Sequence, residues 1–285
     1  MIGRPSVGDP LISVVMTTYR DDWSRLGRAI ESVLSQTLAD FEFLIIFEPG
    51  DDNENRVRLG YRDPRIVVID MPETCGKSVC LNEGLQAARG RYIARMDGND
   101  FCHPDRFEKE VAFLRDHADI ALVGTACRLV SPGGKVIGKR CFPAEHAQIV
   151  RRMMFVIPFL QPSVMWDRER LGYDVRYDPD MRKVVEDAEL WFRLLAGGAH
   201  FANLQEALVD YEPPPGYRRP VQNWAGNFRV RLRHWKIGLR YPSFFVGLML
   251  FGALSIMPRP VIDLLTGRNW LSDRLRSIEV TRADT

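Results

Sequence analysis

Apolar patterning in the first third of the chain switches repeatedly between the period of a strand and the period of a helix. The run LISVVMTTY, from Leu11, is apolar and β-branched, as a buried strand should be. WSRLGRAIESVLSQT follows, with Leu26, Ile30, Val33 and Leu34 at helical spacing. FEFLIIFE predicts a second strand ending in the turn PGDDNEN, and RIVVID a third. SVCLNEGLQAAR predicts a helix capped by Ser78 and closed by Gly90, and RYIARMD a fourth strand. Strands joined by helices in this order pair in parallel, with helices covering both faces of the sheet. The expected fold class is therefore α/β with a mainly parallel sheet. Ligands of such sheets sit beyond the carboxyl ends of the strands. Three of those ends carry polar groups: Thr17, Thr18 and Tyr19, then Glu48, then Asp97.

Beyond Phe107 the patterning loosens. DRFEKEVAFLRDH predicts a helix, IALVGTACRLVSPGGKVIGK a hairpin turning at Pro132, Gly133 and Gly134, and HAQIVRRMMFV another helix. FLQPSVMWDRERL mixes a short strand with a polar turn. KVVEDAELWFRLLAGG predicts a helix from Lys183, with Leu190, Leu194 and Leu195 on one face and a Gly pair at its end. The division expected is a main domain over 1–215 and a helical tail over 216–285. That tail opens with a stretch from Tyr217 to Arg240 rich in Arg and Lys and free of acids, then SFFVGLMLFGALSIM, apolar on every side. As a helix this segment spans about 22 Å at ~1.5 Å per residue, short of a ~30 Å hydrocarbon core. A basic run beside an apolar one suits a helix lying in a membrane surface, so residues 217–260 are expected to face anionic lipid, the alternative being a helix packed in a dimer or against the main domain.

With a formal charge of +2 over 285 residues, the chain shows no global bias towards nucleic acid, and no nucleic-acid partner is expected. The five cysteines form no CxxC pair, which favours free thiols in a reducing compartment over a disulfide framework or a zinc site. The N-terminal stretch has no apolar core long enough for a signal peptide. The expected location is the cytoplasm, at the inner face of the membrane.

Two acidic clusters are candidates for chemistry. Asp97-Gly98-Asn99-Asp100 ends the fourth strand, where hard oxygen donors would suit a divalent ion carrying a diphosphate. A polar turn accounts for the same residue types. Glu186-Asp187 opens a helix, where a carboxylate can serve as general base for a hydroxyl, although acids are favoured in any first helical turn.

Taken together, ISVVMTTYR, FLIIFEPGDDN, GKSVCLNEGLQAARGRYIARMDGNDFCHPDRF and VVEDAELWFRLLAGG resemble, in order and spacing, the family 2 glycosyltransferases. The resemblance runs from about Leu11 to Tyr211 and is densest between Gly76 and Phe107. It implies a GT-A fold, the nucleotide-diphospho-sugar transferase fold, working in bacterial-type glycan biosynthesis. It also implies a nucleotide-diphosphate sugar donor, a glycan or lipid-linked acceptor, and inverting transfer assisted by Mg²⁺ or Mn²⁺. Position by position, Thr18 and Tyr19 would cradle the base, and Glu48 would stand for an acid contacting base or ribose. Lys77 and Asn82 would line the nucleotide pocket, with Lys77 offsetting diphosphate charge. Asp97 and Asn99 would hold the metal, Asp97 also belonging to the donor site. Asp187 would be the base, with Glu186 on the acceptor side. Trp191 would be structural by default, its alternative role being an acceptor-side platform. Asn99 replaces the second acid of the family's metal motif, which lowers the expected metal affinity unless Asp100 or Lys77 compensates. The competing expectation is a catalytically silent sugar-nucleotide binder or scaffold subunit, against which the retained Asp187 argues. A dinucleotide-binding fold is disfavoured because TTYRDD, not GxGxxG, follows the first strand.

Overall fold

The computed structural model describes residues 8–181, 185–213, 221–258, 261 and 280–281. The parts of the expected tail, and of the expected 217–260 membrane-facing stretch, that fall at 217–220, 259–260, 262–279 and 282–285 lie outside the described residues, as do Lys183 and Val184 of the predicted helix.

Four strands form the parallel half of the sheet: β1 (Ile12–Thr18), β2 (Phe41–Phe47), β3 (Ile66–Asp70) and β4 (Tyr92–Asp97), side by side as β4-β1-β2-β3. Their connections are the predicted helix α1 (Trp23–Leu34), a short helix α2 (Asn53–Gly60) and α3 (Lys77–Ala87). β1 and β2 are nearly all buried residues because helices cover both faces. Residues of alternating parity feed two cores. Val15, Leu44, Ile46 and Ile93 pack on one side with Leu81 and Leu85 of α3, and Val14, Phe43, Ile45 and Ala94 on the other with Leu26, Ile30 and Val33 of α1.

The sheet then continues mainly in antiparallel sense. β8 (Met165–Asp167) pairs with β4 and with the long β6 (Ile120–Val130), which forms a hairpin with β7 (Val136–Arg140). β9 (His200–Tyr211) runs parallel to β6 and antiparallel to the two-residue β5 (Phe101–Cys102). The fold is thus α/β as expected, with a parallel half that carries the strand ends of interest. α4 (Arg106–Asp116) packs beneath β6 and holds a fully buried pair, with Arg106 Nε 3.1 Å from a Glu110 carboxylate oxygen. Burial pushes the Glu110 carboxyl up to about 7 even against that guanidinium.

Sequence and structure differ at several places. The α3 N-cap is Gly76, at φ +85, and Ser78 is buried inside the helix, so the predicted cap falls two residues late. PGDDNEN contains the start of α2 as well as a turn, and β9 carries no strand prediction at all. Close backbone approach fixes Gly90: a Cβ there would lie 2.5 Å from the Ser13 amide nitrogen, so only glycine lets the α3–β4 connection cross β1.

After α5 (His146–Met153), α6 (Arg168–Leu171) and α7 (Glu186–Ala196), the tail forms α8 (Val221–Arg233), α9 (Ile237–Arg240) and α10 (Ser243–Ile256). Val230, Ile237 and Phe244 belong to the same core as Trp191 and Phe192 of α7. The Arg231 guanidinium donates to the carbonyls of Met153 and Met154 just past α5. A Cβ on Gly247 would meet the Met154 oxygen, so α10 rests directly on that backbone. Part of the tail thus packs on the main core, while Trp224, Phe251 and Leu254 form a small cluster of their own.

Candidate active site

Parallel pairing sets the site. Asp97 stands beside Thr17, and Thr18 beside Phe47, so the ends of β1, β2 and β4 open at one edge. Asp97 is partly exposed there and is gripped from two sides. Lys77 Nζ, from the first residue of α3, lies 3.2 Å from one carboxylate oxygen, and an Arg95 nitrogen lies 2.8 Å from the other. Burial works against the Asp97 charge, but the two cations outweigh it and hold the carboxyl below the ordinary range. Lys77 answers in kind: burial opposes its charge, Asp97 and Glu186 favour it, and the net effect is a raised pKa. A further Lys77 hydrogen bond, 3.3 Å to the Gln161 side-chain oxygen, uses a second of its three N–H donors.

Arg95 is fully buried within β4. Besides Asp97 it donates to the carbonyls of Val15 and Met96, which accounts for a guanidinium lying inside the sheet.

Around Asp97 lie further acids. Asp100 is 1% exposed and its Oδ1 is buried without a hydrogen-bond partner among the described residues. Burial raises its pKa well above the usual value, and repulsion from Asp97 adds to this. Asp21, just beyond β1, accepts from the Thr18 hydroxyl at 2.8 Å, and its Oδ2 would lie 2.9 Å from a Cβ on Gly98. Its pKa is raised too, by burial first, with Asp97 and Asp51 adding repulsion. The backbone that places Asp21 is strained: Arg20 has φ +54, and its N–H donates 2.7 Å to Asp51 in the loop after β2. Asn99 sits half-buried in the turn between Asp97 and Asp100.

The remaining predicted residues are placed as follows. Thr18 is buried and turned to Asp21, while Tyr19 is exposed at the rim with the Arg20 guanidinium over its ring. Glu48 is 8% exposed and accepts from the Gly76 N–H at 2.6 Å, which ties the end of β2 to the start of α3. Both ends of the Asn82 amide are spent on Tyr177: its nitrogen donates 2.8 Å to the carbonyl and its oxygen accepts 2.7 Å from the N–H. Asn82 therefore clamps the chain segment at Tyr177 onto α3.

Glu186 and Asp187 open α7, both half-buried, and Asp187 Oδ1 accepts from the Ala188 N–H at 2.8 Å. Glu186 favours the charge on Lys77, which links the start of α7 electrostatically to the Asp97 group. Trp191 requires a correction. It is 0% exposed and packs edge-on against Phe159 at 5.3 Å, deep in the core, so it offers no face to an acceptor. One and a half turns separate it from the helix start, enough to turn it inward.

Beyond the effect of burial, Asp97 raises the pKa of both Asp100 and Asp21 by repulsion. With Asn99 these are hard-oxygen donors, the buried Asp100 Oδ1 still lacking a partner among the described residues, although the three acids do not bring their oxygens within 4.8 Å of one another. A divalent cation would relieve that repulsion, so the residues fit Mg²⁺ or Mn²⁺. Lys77 already supplies part of the compensating charge. A separate hollow of about 500 Å³ lies between Trp23, Arg28, Tyr61 and Phe101 and contains none of these groups.

Sequence reasoning passed over Arg95, Asp21 and Gln161. A charged residue inside the apolar run YIARMD was the available signal for Arg95. Nothing local marked the other two, because they reach the site through loop geometry.

The chain matches the model of Glycosyl transferase family 2 over residues 13–161, which takes in β1 to β4 and the Asp97 turn. It is 27% identical over 279 residues to the uncharacterized glycosyltransferase MJ1057 of Methanocaldococcus jannaschii, covering 93% of this chain and 95% of the relative. To the O-antigen biosynthesis glycosyltransferase WbnJ of Escherichia coli it is 31% identical over 206 residues, covering 70% of this chain and 79% of that one. Among solved structures, S. aureus TarS 1-349 in complex with UDP-GlcNAc superposes with a TM-score of 0.67 at 13% identity, covering 92% of this chain and 77% of that one. The chain spans 39% of a longer TarS chain. The fold likeness is to GT-A glycosyltransferases. With the family model spanning every strand end that builds the acidic edge, this chain is a glycosyltransferase and belongs to glycosyl transferase family 2.

Proposed function

We propose that this enzyme moves a sugar, with inversion, from a nucleotide-diphosphate sugar to a hydroxyl of a glycan or lipid-linked acceptor during polysaccharide or glycolipid assembly. The observation that carries this reading is the Lys77–Asp97–Arg95 charge group at the end of β4, with Glu186 of α7 favouring the charge on Lys77. A related protein named for O-antigen biosynthesis and a structural neighbour holding UDP-GlcNAc support the substrate class.

The residues divide the work. Asp187 accepts the proton of the acceptor hydroxyl, whose oxygen attacks the anomeric carbon opposite the departing nucleotide. Lys77 has a third N–H donor beyond those given to Asp97 and Gln161, and directs it at a diphosphate oxygen. Glu48 receives the nucleoside at the end of β2, between Tyr19 and Gly76. Mg²⁺ or Mn²⁺ bound by Asp97, Asn99 and Asp100 would neutralise charge on the leaving diphosphate. Arg95 holds the Asp97 carboxylate from inside the sheet, and Asp21 stands beside Gly98 of that turn.

The tail supports a place at a membrane surface. Phe245, Val246, Met249, Ala253 and Ile256 make one exposed, wholly apolar stripe of α10, with Met249 73% and Ile256 85% exposed. Arg229, Arg233, Lys236 and Arg240 are exposed on the preceding helices and turn. An apolar stripe flanked by cations suits the surface of an anionic bilayer on the cytoplasmic side. Among the described residues no helix is long and apolar enough to cross a membrane.

The test of the reaction is a panel of nucleotide sugars assayed with Mg²⁺, Mn²⁺ or chelator, on the wild type and on Asp187→Asn. Turnover is expected to fall by roughly 10²–10⁴-fold in the variant, with donor binding kept. A variant that turns over like the wild type, or a wild type that turns over none of the panel, overturns the reading.

A further inference from the structure

Cys75 and Cys80 are used by nothing in the reaction above, yet they lie against one of its residues. Cys75 is in the loop before α3 and half-buried; Cys80 is one turn into α3 and 2% exposed. Their sulfurs are 3.6 Å apart, and Cys80 Sγ is 3.5 Å from Glu48 Oε1 at the end of β2. All three potential ligand atoms lie within 4.8 Å of one another. These spacings can be compared with those demanded by a tetrahedral zinc ion. With Zn–S near 2.3 Å and Zn–O near 2.0 Å, two sulfurs on one ion stand about 3.7–3.8 Å apart, and a sulfur and an oxygen about 3.5 Å. The Cys75–Cys80 and Cys80–Glu48 spacings fit two of the three edges, and the third, from Cys75 Sγ to Glu48, is bounded at 4.8 Å and closes with a side-chain adjustment.

We propose that Cys75, Cys80 and Glu48 form a binding site for a thiophilic divalent cation of the Zn²⁺ type, separate from the hard-oxygen set around Asp97. Two sulfurs and one carboxylate oxygen occupy three tetrahedral positions, and the fourth is left to water. Softness separates the two sites: thiolates select zinc-like ions, whereas the carboxylate and amide oxygens at Asp97, Asp100 and Asn99 suit Mg²⁺ or Mn²⁺. Binding requires no oxidant. The cation replaces the two thiol protons, which are released to solvent, and the site gains two positive charges for two protons lost. The half-exposed side of Cys75 is the entry path.

The site draws on two segments, the loop and first turn of α3 that carry Cys75 and Cys80 and the end of β2 that carries Glu48, fixed together by the fold. The Gly76 N–H already anchors Glu48 at 2.6 Å, which holds the carboxylate over the first turn of α3. A cation there would draw on the lone pairs of the carboxylate that the donor reading assigns to the nucleoside. Metal and donor should then compete, a consequence that rests on the function proposed above.

The experiment is titration of the reduced full-length protein with Co²⁺, without nucleotide and in a phosphine reductant that keeps the thiols free. Expected are a thiolate-to-cobalt band in the near ultraviolet and the strong visible bands of a tetrahedral ion. Zn²⁺ should bleach both and Mg²⁺ should not. The bands should disappear in Cys75→Ser and in Cys75→Ala, each melting like the wild type. Zn²⁺ should also protect Cys75 from alkylation by a maleimide, read by peptide mass. No thiolate band, or one that survives loss of the Cys75 sulfur, overturns the site. A band in a protein that turns over no nucleotide sugar sinks the donor reading and leaves the metal site standing.

Discussion

Asp97 shows how far one residue's meaning depends on its neighbours. Its position at a strand end was evident from YIARMD, but the state of its carboxylate comes from Lys77 and Arg95, the second of which looked like a misplaced charge in an apolar run. Trp191 is the reverse case. Read from sequence it suited an acceptor platform, yet its side chain sits wholly in the core against Phe159. Its removal should therefore act on folding: Trp191→Ala is expected to cost about 3–5 kcal/mol of stability. Chemical denaturation checks this. A loss confined to acceptor KM, with an unchanged denaturation midpoint, would restore the platform reading.

At the scale of elements, the alternation of strand and helix was legible because buried parallel strands and amphipathic helices leave opposite periodicities. α1, α3, β1, β2 and β4 could be placed from it to within a few residues. β9 could not: it pairs with β6 on one side and β5 on the other, and pairing across that distance has no local signature. The buried charge in α4 is equally silent in sequence and has a measurable effect. Burial pushes the Glu110 carboxyl up to about 7, from an ordinary value near 4.5. Because the folded pKa is the higher one, the folded state binds this proton more tightly. Its stabilising contribution is complete below about pH 4.5 and is lost as pH rises through 7, on the order of 2–3 kcal/mol in all. Thermal melts at pH 5 and pH 8 should thus differ less in Glu110→Gln than in the wild type. The slope with pH is the readout, since the substitution also alters the partner of Arg106. An unchanged slope would mean Glu110 is ionised throughout.

For the whole molecule, the tail decides what experiments are meaningful. Val230, Ile237 and Phe244 contribute to the main core, so cutting the chain after Arg240 removes a fully buried phenylalanine along with the exposed stripe. Loss of membrane binding after such a cut would report unfolding as readily as detachment. Substitution on the outer face separates the two. Val246→Glu with Met249→Glu should leave the melting temperature close to wild type, since both side chains are largely exposed. The same pair should abolish sedimentation with vesicles containing phosphatidylglycerol. Equal sedimentation of both proteins, or none by the wild type, would refute docking of α10 on lipid.

Sequence alone settled the four parallel strands, which of their ends are polar and which family motifs stand in order, because hydrophobic periodicity and short-range turn chemistry are written within a few residues. Only the tertiary structure determined that Asp97 is held by an arginine inside the sheet, that Asp21 leans over Gly98, that Trp191 is core, and that Cys75, Cys80 and Glu48 converge. Asp21 over Gly98, Trp191 against Phe159 and Glu48 beside Cys80 each bring together segments distant in the chain, and the charge state that Arg95 gives Asp97 depends on burial. Such energies are set by packing and desolvation that no local pattern encodes.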